Sequence, residues 1–125
     1  MKYLCLAYEE ESTLNRLTRS EWERLRGETL DYVAALRGSG QLLAAEALQS
    51  TRTATSIRIR NGKLLTTDGP FAETKEQLGG FFLIEAKDLE EATRVASHWP
   101  SAKFGTIEVR PVEAELREEG RYAPP

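Results

Sequence analysis

Around one turn the sequence collects the side chains best suited to chemistry. Asp68 precedes Gly69-Pro70-Phe71, and Glu73, Lys75 and Glu76 follow closely. A carboxylate held beside a pocket by a Gly-Pro turn can give or take a proton, provided burial or a like charge raises its pKa. The same aspartate can instead bond backbone N–H groups of its own turn and simply cap the loop. Lys75 is placed to pair with a substrate carboxylate, and Glu73 to share a proton with Asp68. The plainer account of these charges is a solvated loop face with local ion pairs. Phe71, inside the turn, joins them as a candidate ligand-binding residue.

Other candidates stand apart from the turn. Arg58 and Arg60 alternate along a short polar face and could clamp an anion by bidentate bonds, or serve solubility alone. Tyr8 ends an apolar run, where its hydroxyl either enters a pocket or is satisfied within the core. His98 precedes Trp99-Pro100 at an expected helix C-terminus, where the helix dipole already favours its cation. It has no second His or Cys at ligand spacing, so no metal is expected. Cys5 lies among apolar residues and reads as inert core. No Gly-rich phosphate loop, CxxC pair or serine elbow is present, and no cofactor is expected.

The elements that must position these groups are legible from patterning. Residues 2–8 form a strand apolar on both faces, with Tyr3, Cys5 and Ala7 against Leu4, Leu6 and Tyr8. Ser20-Glu21-Trp22-Glu23 reads as a capping box opening a helix whose stripe is Trp22, Leu25, Thr29, Val33 and Leu36. Gly38-Ser39-Gly40 ends it. Residues 41–48 follow as a strand, although their alanines would also suit a helix. Residues 53–60 alternate, Asn61-Gly62 suits a type I′ turn, and residues 64–67 return, which makes a hairpin. Residues 68–80 read as a loop with a short helical turn near 74–78. Residues 80–86 are another strand apolar on both faces. Asp88 caps a helix with the stripe Leu89, Ala92, Val95, Ala96 and Trp99, which Pro100 stops. Residues 106–112 form the last strand. Residues 113–125 are a charged, Pro-ended tail expected to fray or lie along a partner.

The order β-α-β, hairpin, β-α-β gives an α+β fold of the ferredoxin-like (split βαβ) kind with an inserted hairpin. A chain of 125 residues suits one domain, taken as residues 1–112. Two helices cover only one face of such a sheet, yet two of its strands are apolar on both. A second copy is therefore expected on the open face, as a homodimer through sheet faces. A net charge of −3 argues against nucleic acid as the main partner. A lone cysteine and the lack of any long apolar run point to a cytoplasmic protein with no membrane partner.

The run Thr67-Asp68-Gly69-Pro70-Phe71-Ala72-Glu73-Thr74-Lys75-Glu76-Gln77-Leu78-Gly79-Gly80-Phe81 resembles the signature of the YCII-related family, in its DGPF branch. Gly105-Thr106-Ile107-Glu108-Val109-Arg110-Pro111 and Ala45-Glu46-Ala47-Leu48 add to the likeness, which extends over residues 1–112. The resemblance implies a ferredoxin-like fold assembled as a dimeric α/β barrel. It also implies a small enzyme or ligand binder, some relatives resembling lyases or dehydrochlorinases that act on ring compounds. A first-helix histidine paired with the turn aspartate would carry acid–base chemistry. Asp68 matches that aspartate, but residues 20–37 contain no histidine.

Two functional readings follow. In one, an unidentified small molecule meets an acid–base site of lyase or isomerase type with Asp68 as proton carrier. In the other, the protein is a non-catalytic ligand-binding or accessory dimer. Fold alone does not choose between them.

Overall fold

The first strand, β1 (Lys2–Glu9), runs up the middle of a four-stranded antiparallel sheet of order β2-β5-β1-β6. The structure is a computed structural model and describes residues 1–122. The outer strands are β2 (Leu42–Ala47) and β6 (Gly105–Pro111), and β5 (Gln77–Glu85) is the other central one. Helix α1 (Glu11–Asn15) and helix α2 (Arg19–Gly38) lead from β1 to β2, and α3 (Leu89–Ser97) leads from β5 to β6. This is the split βαβ plan. Strands β3 (Thr55–Arg60) and β4 (Lys63–Asp68) form a separate hairpin between β2 and β5.

Side-chain alternation decides which face of the sheet is covered. Tyr3, Cys5 and Ala7 of β1 and Phe82 and Ile84 of β5 are buried beneath α2 and α3, whose Leu36, Ala92, Val95 and Ala96 complete the core. Fully burying a side chain of the Phe or Ile class stabilises by about 1.5–3 kcal/mol. Trp99 stacks on Phe82 at 3.9 Å between centroids and meets the edge of Tyr32 at 6.1 Å. The Tyr32 hydroxyl donates to the Val95 carbonyl at 2.6 Å, so one aromatic group ties α2 to α3. Cys5 is inert core as read: burial pushes its thiol up to about 12. On the other face, Leu4, Leu6, Tyr8, Phe81 and Leu83 are only half-buried.

The local signals hold with three corrections. The capping box of α2 uses Thr18 rather than Ser20: Glu21 N–H donates to Thr18 Oγ1 at 3.2 Å, and Thr18 N–H to Glu21 Oε1 at 2.8 Å. Both Ser/Thr-x-x-Glu pairs fit the motif, but the earlier start adds a further helical bond from Trp22 N–H to Thr18 O. Glu23, freed from capping, pairs with Arg19 at 3.0 Å. The expected helical turn near 74–78 is absent, because Gln77 and Leu78 pair with Glu9 and Tyr8 as the start of β5. Residues 11–15, between the expected first strand and first helix, form a further short helix, α1.

The remaining ends behave as their chemistry dictates. Gly40, at φ 79°, closes α2 with bonds from Gly40 N–H to Arg37 O and from Gln41 N–H to Leu36 O, a Schellman pattern. Asn61 and Gly62 take φ 52° and 74°, as a type I′ turn requires. Asp88 accepts from Glu91 N–H at 2.9 Å to start α3. Residues 113–122 follow β6 without helix or strand, and residues 123–125 of the expected tail lie outside the described residues. Among the described residues, no helix is long and apolar enough to cross a membrane.

Candidate functional site

Alternation along β1 does not stop at Ala7. It carries the next odd position, Glu9, onto the helix-covered face, at the end of a row of buried side chains. Here the pairing with β5 slips: Ala7 faces Gly80 and Tyr8 faces Leu78, leaving Gly79 as a bulge. A Cβ built on Gly79 would collide with the Glu9 carboxylate, so glycine makes the slot in which that carboxylate lies. Next to it, Gly80 admits the Glu46 carbonyl of β2 at a distance a side chain would forbid.

Two clefts share Glu9, Leu14, Leu48 and Gly79 as a common wall. The larger, about 520 Å³, lies between α2 and the sheet and is mainly apolar, with Trp22, Leu25, Val33 and Phe82 among its walls. Its charged residues are Glu9, Glu46, Arg26 and Arg37. The smaller, about 240 Å³, is polar and adds Glu11, Asn15, Ser50, Thr51, Arg52 and Gln77. A third, open hollow lies beside Tyr32, His98 and Trp99, between the second half of α2 and the C-terminal end of α3.

Electrostatics divide the two carboxylates at the common wall. Burial, and then the neighbouring charge of Glu11, raise the Glu9 pKa above its ordinary value. No hydrogen-bond donor among the described residues reaches the Glu9 carboxylate. Glu11 is held below its ordinary value by the Ser50 and Thr51 hydroxyls, with Thr51 Oγ1 donating to Glu11 Oε2 at 2.7 Å. Environments that push two neighbouring carboxyls in opposite directions make one of them, here Glu9, the readier to take up a proton. No group of three or more His, Cys, Asp and Glu side chains among the described residues is arranged to hold a metal ion.

The residues singled out from sequence lie elsewhere. Asp68 ends β4 opposite Thr55 and is exposed. Its turn is fixed by backbone: Gly69 N–H donates to Ala54 O at 2.7 Å, and Ser56 Oγ donates to Gly69 O at 2.9 Å. Phe71 is 76% exposed, and the Arg58 guanidinium lies over its ring at 5.0 Å, so these two candidates do meet. Glu73 and Lys75 are exposed, and Glu76 accepts from Thr106 Oγ1 at 2.8 Å. Tyr8 points to the open face, opposite the clefts. His98 Nδ1 lies 2.8 Å from the Arg94 carbonyl at the end of α3, the structural role its position implied. None of Tyr8, Arg58, Asp68, Phe71, Glu73 and Lys75 lines any of the three clefts.

The sequence profile of the YCII-related domain matches residues 1–115. The chain belongs to the YCII-related family. An uncharacterized protein of Rhizobium meliloti (strain 1021) is 36% identical over 114 residues, which cover 90% of this chain and 92% of the relative. Among solved structures, this YCII-related chain is similar to 5-chloro-2-hydroxyhydroquinone dehydrochlorinase (TftG) from Burkholderia phenoliruptrix AC1100, in complex with 2,5-dihydroxybenzoquinone. That match has a TM-score of 0.56 at 15% identity and covers 90% of this chain and 94% of the other. At such low identity it shows a shared YCII-type fold.

Proposed function

We propose that this YCII-related protein is a cytoplasmic homodimer that binds a small ring compound and handles a proton on it, as a lyase or isomerase does. The observation that carries this reading is the cleft between α2 and the sheet, an apolar space of about 520 Å³ that ends on a half-buried carboxylate. Spaces of this size and lining are typical of small-molecule sites. The fold shared with a dehydrochlorinase supports the reaction class, as an analogy. The open sheet face supports the dimer, because Leu4, Leu6, Phe81 and Leu83 form an apolar patch that a second copy would cover. In this reading Asp68, with Tyr8, Arg58, Phe71, Glu73 and Lys75, acts on a ligand only where the second subunit closes a cavity over the turn.

The second reading, a non-catalytic ligand-binding or accessory dimer, draws on the exposure of Asp68 and on the absence of histidine from α2. One experiment addresses both. Wild type and Asp68→Asn are screened by thermal shift against hydroxylated ring compounds, and each compound that binds is then followed for turnover. Turnover by wild type supports the enzyme. Binding without turnover across the panel favours the accessory reading, and no shift with any compound counts against both.

A further inference from the structure

Glu9 is an unusual residue to find at the end of a buried row. Its carboxylate sits in a slot made by a glycine bulge, faces an apolar cleft, and receives no hydrogen bond from the described residues. A half-buried carboxylate without a donor is costly unless water or a ligand supplies one. We infer that Glu9, rather than a residue of the Asp68 turn, is the group that engages the ligand, and that the ligand is an uncharged phenol-like ring whose hydroxyl donates to it. The inference deepens the proposed function and rests on the α2–sheet cleft being its binding site.

Three features of the cleft select that chemistry. The first is room: an apolar cavity of about 150 Å³ already takes a benzene ring, and this cleft offers about 520 Å³. The second is lining, since Trp22 and Phe82 offer aromatic surface while Leu25 and Val33 offer aliphatic. The third is charge. Glu9 and Glu46 are balanced by Arg26 and Arg37 around the large cleft, so the site offers no net charge to attract an ion. The other charged residues near Glu9 are Glu11 and Arg52, across the common wall. Glu11 already has its hydroxyl donors in Ser50 and Thr51, which leaves Glu9 as the acceptor open to a ligand.

The test uses two probes, resorcinol and resorcinol dimethyl ether, which share a ring but differ in their O–H donors. Their affinities are measured by calorimetry on wild type, Glu9→Leu and Glu9→Gln, with circular dichroism to confirm folding. A hydrogen bond to a charged acceptor accounts for tenfold or more in affinity. Resorcinol should therefore bind Glu9→Leu about tenfold more weakly than wild type, while the dimethyl ether changes little. Glu9→Gln keeps the shape of the side chain and guards against a folding failure. It should weaken resorcinol by about threefold, because a neutral acceptor is roughly half as strong in free energy. Equal resorcinol affinity in wild type and both variants would overturn the role of Glu9 while leaving the cleft intact. If neither probe binds wild type, the cleft itself is the wrong site and the inference falls with it.

Discussion

Gly79 and Glu9 share one space: the carboxylate of Glu9 lies where any side chain at position 79 would begin. The contact joins a β-bulge in a central strand to the last residue of its neighbour, and it turns a carboxylate toward the cleft under α2. Gly80 is tight for a different reason, since its missing Cβ admits the backbone carbonyl of Glu46. A long side chain can swing away from an added methyl group, but paired backbone cannot.

Gly79→Ala and Gly80→Ala should therefore behave differently. Gly79→Ala displaces the Glu9 carboxylate at a cost below about 1 kcal/mol, because only the end of a flexible chain must move. Gly80→Ala forces β2 and β5 apart and should cost about 1–3 kcal/mol, as overpacked cores do. Urea titration of both variants checks this. A Gly79→Ala loss as large as that of Gly80→Ala would mean that the Glu9 side chain is not free to move.

The raised pKa of Glu9 makes a signed statement about stability. Its protonated form is favoured on folding, so its contribution is fully present below the ordinary glutamate value of about 4.3 and is lost as pH rises through the higher folded value. Above the ordinary value, keeping this carboxylate half-buried therefore subtracts from stability. Glu9→Gln should then have a higher urea midpoint than wild type at pH 7, and the gap should close as pH falls toward 4. A variant equally stable at both pH values would contradict the burial assigned to this carboxylate. The same substitution should weaken ligand binding, as expected where a functional group is kept at the expense of stability.

Two neighbouring caps offer a sharper structural test. Thr18→Ala removes the hydroxyl that accepts from Glu21 N–H and should cost about 1 kcal/mol, whereas Ser20→Ala should stay within about 0.5 kcal/mol. Thermal unfolding of the two variants ranks them. The reverse ranking would restore the later helix start.

Those two residues show what the sequence could and could not specify. Ser/Thr-x-x-Glu occurs twice in overlap, and only the complete helix decides which copy caps it. Patterns of period two were clear in β1, and they placed Tyr3, Cys5 and Ala7 together on the covered face. Ending that strand at Tyr8 hid Glu9, although one more step of the same period would have put a carboxylate in the buried row. The Gly79-Gly80 pair was a second signal, since adjacent glycines next to a strand mark a bulge or a close approach. The clefts themselves were out of reach. They assemble from positions as distant as Glu9, Val33, Leu48 and Phe82, which strand order brings together and no local pattern records. Asp68 stands out in the sequence because its turn is locally distinctive. Local distinctiveness reports backbone geometry, here a Gly69 N–H bonded to Ala54 O, and carries no information about burial.

The open sheet face yields the last prediction. Leu6 lies at the centre of that face on β1, between Phe81 of β5 and Glu108 of β6 in the pairing register. Its side chain points away from the core, so Leu6→Lys should change the stability of an isolated subunit by no more than about 0.5 kcal/mol. In a homodimer closed by two-fold symmetry, the substitution would place two ammonium groups in one interface, and the acid beside each, Glu108 of the same subunit, is already paired with Arg110. Wild type should therefore sediment as a dimer at micromolar concentration and Leu6→Lys as a folded monomer. Cys5→Ser, changed on the covered face, should remain dimeric if it folds. A monomeric wild type would remove the dimer from the proposed function, and a dimeric Leu6→Lys would move the interface off the sheet, with the exposed Ile57, Ile59 and Leu64 of the hairpin as the next surface to change.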